Sequence, residues 1–191
     1  MAGTGIARAT APLGPVAAVA VICALDAVQA ARSWAVPVVG VLDEPAHLLT
    51  AWVLLAALPF GRPRGWLPWA LAGSVLIDVD HLPLYLGSAD VAAAGGRPFS
   101  HSSATLAVLA LIAGGARGRA RIALLGLATG VTLHLVRDLA TGPGVPLFWP
   151  LRQTSVEVPY GAYLVVLVAA AALAAARRHR AHLRPVTGPR A

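Results

Sequence analysis

The chain has 191 residues, 58% of them hydrophobic and only 12% charged, against about a quarter charged in soluble domains. That balance argues against a soluble domain and for lipid as the solvent. The formal net charge of +7 comes from arginine alone. The arginines stand in short gaps between apolar runs, so no basic face for nucleic acid is expected.

A bilayer core about 30 Å thick takes about 20 helical residues to cross. Six apolar segments are predicted as helices: 11–31, 44–60, 66–86, 101–116, 121–141 and 160–176. The first carries Cys23, the sole cysteine and a buried small hydrophobe by this reading, and Asp26. It is either a retained helix or a signal-like segment, with Arg8 in the charged region and Val28-Gln29-Ala30 as a cleavage site. The second segment opens on His47, just behind Asp43 and Glu44. The third closes on Asp78, Asp80 and His81; Pro83 biases Leu82 away from helix, so its last turn is expected to unwind. In the fourth, His101 follows Ser100 as N-cap and starts the helix. The fifth carries His134, Arg137 and Asp138. The short, Ala-rich sixth leads into a basic tail, 177–191, with His179 and His182 among its arginines. No repeat of 20–50 residues is visible. The expected fold is therefore all-α, a polytopic membrane bundle of five to six transmembrane helices. A first segment (1–31), an embedded domain (32–176) and a cytoplasmic tail divide it.

Arginine sets the orientation. With the N-terminus inside, Arg8, Arg62, Arg64, Arg117, Arg119, Arg121, Arg177, Arg178, Arg180, Arg184 and Arg190 are cytoplasmic. Only Arg32, Arg97 and Arg152 lie outside, and Arg137 falls within a span. Trp34, Tyr85, Trp149 and Tyr160 then form the outer aromatic belt, and Phe60, Trp66 and Trp69 the inner one. In this frame His47, Asp78, Asp80, His81, His101, His134 and Asp138 all fall at the extracytoplasmic ends of four segments. An aspartate near mid-bilayer costs about 2.5–3.5 kcal/mol on insertion scales, so such residues mark sites.

His134 and Asp138 are four apart, and Asp78 and His81 three apart, so each pair shares a helical face. Imidazole with carboxylate suits Zn²⁺, Mn²⁺ or Fe²⁺, and seven candidates allow one ion or two. Singly, each group has a plainer reading. His134 and Asp138 fit an interhelical ion pair, Asp78 or Asp80 a solvated helix end, and Ser100, Ser102 and Ser103 caps or packing residues. The set, aligned at one depth, is what favours a site.

Four stretches, "EPAHLLTAW", "LIDVDHLPLYLG", "GGRPFSHS" and "HLVRDLATGPGVPLFWPL", resemble in order the motifs of an inner-membrane metal-dependent hydrolase family, also labelled LexA-binding. The likeness covers about residues 44 to 152, and its most specific part is the His-x-x-x-Asp run followed by "GVPLFWPL". It implies a multi-pass protein of the inner membrane with His47, Asp78, Asp80, His81, His101, His134 and Asp138 in the metal-binding and catalytic set, and Arg97 as the family arginine. Gly96, Ile77 and Ser100 stand where that family has His, Pro and Thr. The expected function is a metal-dependent hydrolase at the outer interface. Asp80 or Asp78 serves as general base, Arg97 and Arg137 hold an anionic group, and the loop 142–159 admits a lipid phosphate or ester. The rivals are an ion- or proton-coupled transporter, and a membrane interaction protein with a structural metal. The bilayer is the expected partner, and nucleic acid is not.

Overall fold

A computed structural model describes residues 14–59, 61–86, 88, 92–93 and 96–183. Arg8, Phe60, Arg184 and Arg190 lie outside the described residues, as do the side chains of Tyr85 and His182. Six helices carry the fold: α1 (Gly14–Ala30), α2 (Val36–Ala57), α3 (Trp66–Leu76), α4 (Ser103–Gly115), α5 (Gly118–Asp138) and α6 (Tyr160–Leu183). No strand occurs among the described residues, only isolated bridges at Ala92–Pro98 and Val145–Val156. The all-α reading stands. Three stretches, Pro37–Ala57, Gly118–Asp138 and Tyr160–Ala181, are each long and apolar enough to cross a membrane, and α1 and α4 are shorter apolar helices.

The chain inverts the soluble pattern. Leu111, Leu151 and Val165 are 76%, 90% and 70% exposed, while Arg137, His134 and Asp138 are all but inaccessible. Hydrocarbon outside and paired polar groups inside is how a bundle satisfies its polar atoms in lipid. Two packings share the interior. Ala18 and Ile22 of α1 meet Ala46, Val53 and Ala57 of α2 and Tyr163 and Leu167 of α6. Val131 and Leu135 of α5 meet Val145 of the following loop, with Leu106 and Leu109 of α4 beside them.

α3 and α5 run parallel and very close. A Cβ on Gly130 would stand 2.7 Å from both Gly73 Cα and Ser74 N, and one on Gly126 would stand 2.7 Å from Trp69 Cβ. The four-residue spacing of Gly126 and Gly130 is the small-xxx-small device that lets two backbones touch in lipid. This contact sets the height of Ser74 against His134. Gly130→Ala therefore forces the helices apart and destabilises by about 1–3 kcal/mol. Thermal unfolding in detergent checks it, and an unchanged midpoint would refute the tight crossing.

Several boundaries differ from expectation. α2 begins at Val36 rather than at 44, with Pro45 inside it, so His47 sits mid-helix instead of opening the span. The turn after α3 does not unwind: Ile77–His81 tightens into 3₁₀ geometry, and Leu82 is right-handed helical (φ −53°, ψ −44°). Pro83 falls in the first turn of the next helical stretch, Leu82–Tyr85, where its missing N–H costs nothing. α4 starts at Ser103 with Ser102 as N-cap, which leaves His101 in the turn ahead of it. α6 runs on through the start of the basic tail to Leu183.

Candidate metal centre

Each local departure helps to gather the polar groups. Three residues per turn in the 3₁₀ stretch eclipse Asp78 and His81, whose Oδ1 and Nδ1 lie 3.2 Å apart. The same tightening carries Asp80 round to His81 Nδ1, at 3.0 Å. Ser100 does not cap α4; its hydroxyl donates to Asp80 Oδ2. Freed from a helix, His101 turns its two ring nitrogens toward two carboxylates, Nε2 to Asp78 Oδ1 at 2.9 Å and Nδ1 to Asp80 Oδ2 at 3.2 Å. On α5, His134 and Asp138 share one face as their spacing requires, with Nε2 2.9 Å from Oδ2.

Four atoms then converge. His101 Nε2 is 3.2 Å from His134 Nε2 and 3.6 Å from Asp138 Oδ2. His134 Nε2 is 3.3 Å from Asp78 Oδ1. Ligand atoms about 2.1 Å from a tetrahedral ion stand about 3.4 Å apart, close to these separations. The partners of the other ring nitrogens fix what each atom presents. His134 Nδ1 lies 2.9 Å from the Ser74 carbonyl, which only accepts, so its proton sits there and the neutral ring turns a lone pair inward at Nε2. His101 faces a carboxylate at each ring nitrogen, Asp78 at Nε2 and Asp80 at Nδ1, so either nitrogen can carry its proton. Two imidazole nitrogens, that of His134 with its lone pair inward, and two carboxylate oxygens thus face one another. A proton can bridge one pair of them; a metal cation satisfies all four. His47 Nδ1 and Nε2, His101 Nδ1 and both Asp138 oxygens also lack a well-aligned hydrogen bond despite charged neighbours, as expected of atoms placed for an ion. The donor set fits.

The remaining candidates surround this quartet. His47 stacks on His134 with centroids 3.7 Å apart and planes 10° from parallel. Its Nε2 lies 3.3 Å from Asp138 Oδ1 and 3.3 Å from Asp43 Oδ2. Arg97 Nη1 is 2.9 Å from Asp138 Oδ2, and its Nη2 donates to the Thr141 carbonyl at 3.0 Å. Gly142, at φ +70°, lets the loop pass this guanidinium: a Cβ there would stand 3.0 Å from Nη2. A cavity of about 220 Å³, lined by Asp43, Asp78, His81, Arg97 and Gly142 among others, leads to the cluster. All seven metal candidates and Arg97 therefore belong to one connected constellation. They fall into two compact groups that can hold an ion, Asp78–Asp80–His81–His101 and His47–His134–Asp138, joined through His101 and His134.

Arg137 is engaged elsewhere. Its Nη2 donates to Asp26 Oδ1 and Asp43 Oδ1, both at 2.6 Å, and its Nη1 to the Tyr163 hydroxyl at 3.3 Å. Sequence spacing gave no sign of these partners, which come from α1, α2 and α6. Asp43 is also the neighbour of His47 that local reading set aside. Glu44, one residue on, packs its carboxyl against Asp78 and is a further acidic group beside the cluster.

A family model described as YdjM inner membrane protein matches residues 43–187, most of the chain. No curated protein and no solved structure matches.

Proposed function

The chain belongs to the YdjM inner membrane protein family, a multi-pass family of the inner membrane, and we propose that it is a metal-dependent hydrolase embedded there. The reading carries with it five to six spans, α1, α3 with its 3₁₀ extension and α4 completing the bundle around the three long helices. Its substrate in this reading is a lipid phosphate or ester met at the extracytoplasmic interface.

The supporting observation is the convergence of four potential ligand atoms on Asp78, His101, His134 and Asp138. These residues would hold a divalent cation, zinc by the imidazole and carboxylate chemistry, with manganese or iron compatible. Such an ion, when bound, supplies positive charge that polarises a phosphoryl or ester oxygen and acidifies water. Asp80 orients His101 through Nδ1 and shares His81 with Asp78. His81 lines the cavity and, backed by Asp80 at 3.0 Å, is the group placed to move a proton. Arg97 lines the same cavity and holds the anionic part of the substrate, its guanidinium fixed by Asp138 and Thr141.

Purified protein loaded with zinc, assayed on a panel of lipid phosphates and esters, tests the reading. His81→Gln is expected to retain metal and lose turnover by about 10²–10⁴-fold, the usual contribution of a positioned acid–base group. Full metal loading with no turnover on any member of the panel, in wild type, would sink the enzyme. A transporter remains the second reading. It is favoured by the polar run His47–Asp43–Arg137–Asp26–Tyr160, which crosses from α2 to α6. Proton-coupled uptake into vesicles by a hydrolytically inert protein would select it.

A further inference from the structure

A second cavity, about 500 Å³ and partly open, lies between α1, the end of α5 and α6. That volume is in the range of small-molecule sites, about 300–1,000 Å³. Its walls are mostly apolar: Cys23, Ala27 and Ala30 of α1, Ala140, and Tyr160 and Leu164 of α6. Gln29, Thr141 and Gly142 line both this cavity and the one leading to the metal cluster, so the two are neighbours across a single wall.

The two differ in charge. In the larger cavity the polar groups are already matched to one another. Arg137 is held by Asp26 and Asp43, and Tyr160 donates to Asp26 at 2.6 Å. Two carboxylates against one guanidinium repel an anion and leave the apolar walls to choose the ligand. The smaller cavity carries Arg97. Around both, α1 and α6 turn Val28 (43% exposed) and Val165 (70% exposed) outward, as helices bathed in hydrocarbon do.

We propose that the α1–α6 cavity holds the single apolar chain of an anionic amphiphile whose head reaches Arg97 and the metal cluster past Gln29 and Gly142. This inference rests on the hydrolase reading and gives its substrate a shape: one chain, one anionic head, admitted from the bilayer side.

Cys23, the sole cysteine, lines the chain cavity and serves as its reporter. The full-length protein in phosphatidylcholine nanodiscs is treated with N-ethylmaleimide, and the labelling rate of Cys23 is followed by mass spectrometry. Dodecyl phosphate at ten times its dissociation constant is expected to slow labelling about tenfold by occupancy. Ethyl phosphate and dodecyltrimethylammonium leave the rate unchanged. Arg97→Gln raises the dodecyl phosphate concentration needed. Should Cys23 resist the reagent, Ala27→Cys on a Cys23→Ser background reads the same cavity. Labelling that dodecyl phosphate does not slow overturns the chain site. Protection given equally by ethyl phosphate, or unaffected by Arg97→Gln, does so too. Because no turnover is needed, protection in a protein that hydrolyses nothing keeps the chain site and removes only the hydrolase.

Discussion

His134→Ala is expected to leave the protein without bound metal after dialysis, whereas Asp80→Asn is expected to keep a site that excess metal refills. The difference follows from what each group touches. His134 presents its Nε2 lone pair to the centre of the quartet, within 3.3 Å of the three other ligand atoms. Asp80 meets His101 through the far ring nitrogen, at 3.2 Å from Nδ1. Loss of an outer partner of that kind costs about 10–100-fold in metal affinity, and loss of a ligand more. Asp138→Asn is the companion test, since it removes charge from the quartet and also the anchor of Arg97 at 2.9 Å. Elemental analysis of metal per chain gives the stoichiometry, and titration with zinc gives the affinity. Stability is a second readout. An ion present at 100 times its dissociation constant adds about 2.7 kcal/mol to the folded state, so chelation should lower the unfolding midpoint of wild type and not that of His134→Ala. Equal midpoints in all three conditions, with no metal in wild type, would dispose of the centre.

That these residues belong together was legible because the chain is sparing with charge. Carboxylates in apolar segments stand out against a background where each is costly, and the arginine pattern gave them one expected depth without reference to them. Spacing within one helix was equally readable, as His134 and Asp138 show. What spacing could not show was long-range pairing. Asp26, Asp43 and Tyr163 reach Arg137 from sequence separations of 111, 94 and 26. Until those partners were in place, Arg137 looked like a guanidinium awaiting a substrate. The boundary errors have local causes. Pro45 reads as a helix start because in water an internal proline breaks a helix, yet neighbouring helices in a bundle make good the lost bond. Pro37 in the first turn of α2 was the better signal. Ser100 has the chemistry of a cap, but a carboxylate in reach outcompetes the backbone N–H for its hydroxyl. Gly126 and Gly130 were visible as small residues, and only the parallel course of α3 shows which helix they admit.

Arg137→Met is expected to destabilise the protein by about 3–5 kcal/mol, the cost of removing one member of a buried ionic group and leaving the rest unpaired. The guanidinium is 1% exposed, and it joins Asp26 of α1 to Asp43 of α2 and Tyr163 of α6. Without it, Asp26 and Asp43 are left as two carboxylates with no cation between them. Lysine does not replace it, because a single ammonium cannot fork between two carboxylates. The sharper expectation concerns the triple variant. With Asp26→Asn and Asp43→Asn added, no unpaired charge remains, and much of the lost stability returns, since buried ion groups often contribute little over neutral replacements. Metal binding should not return with it. Asp43 Oδ2 lies 3.3 Å from His47 Nε2, and His47 stacks on His134, so the network beneath the centre also sets the ring positions above it. Denaturation in mixed micelles and zinc titration on the same samples separate the two effects. If stability and affinity recovered together in the triple variant, Arg137 would be a structural clamp with no hold on the centre.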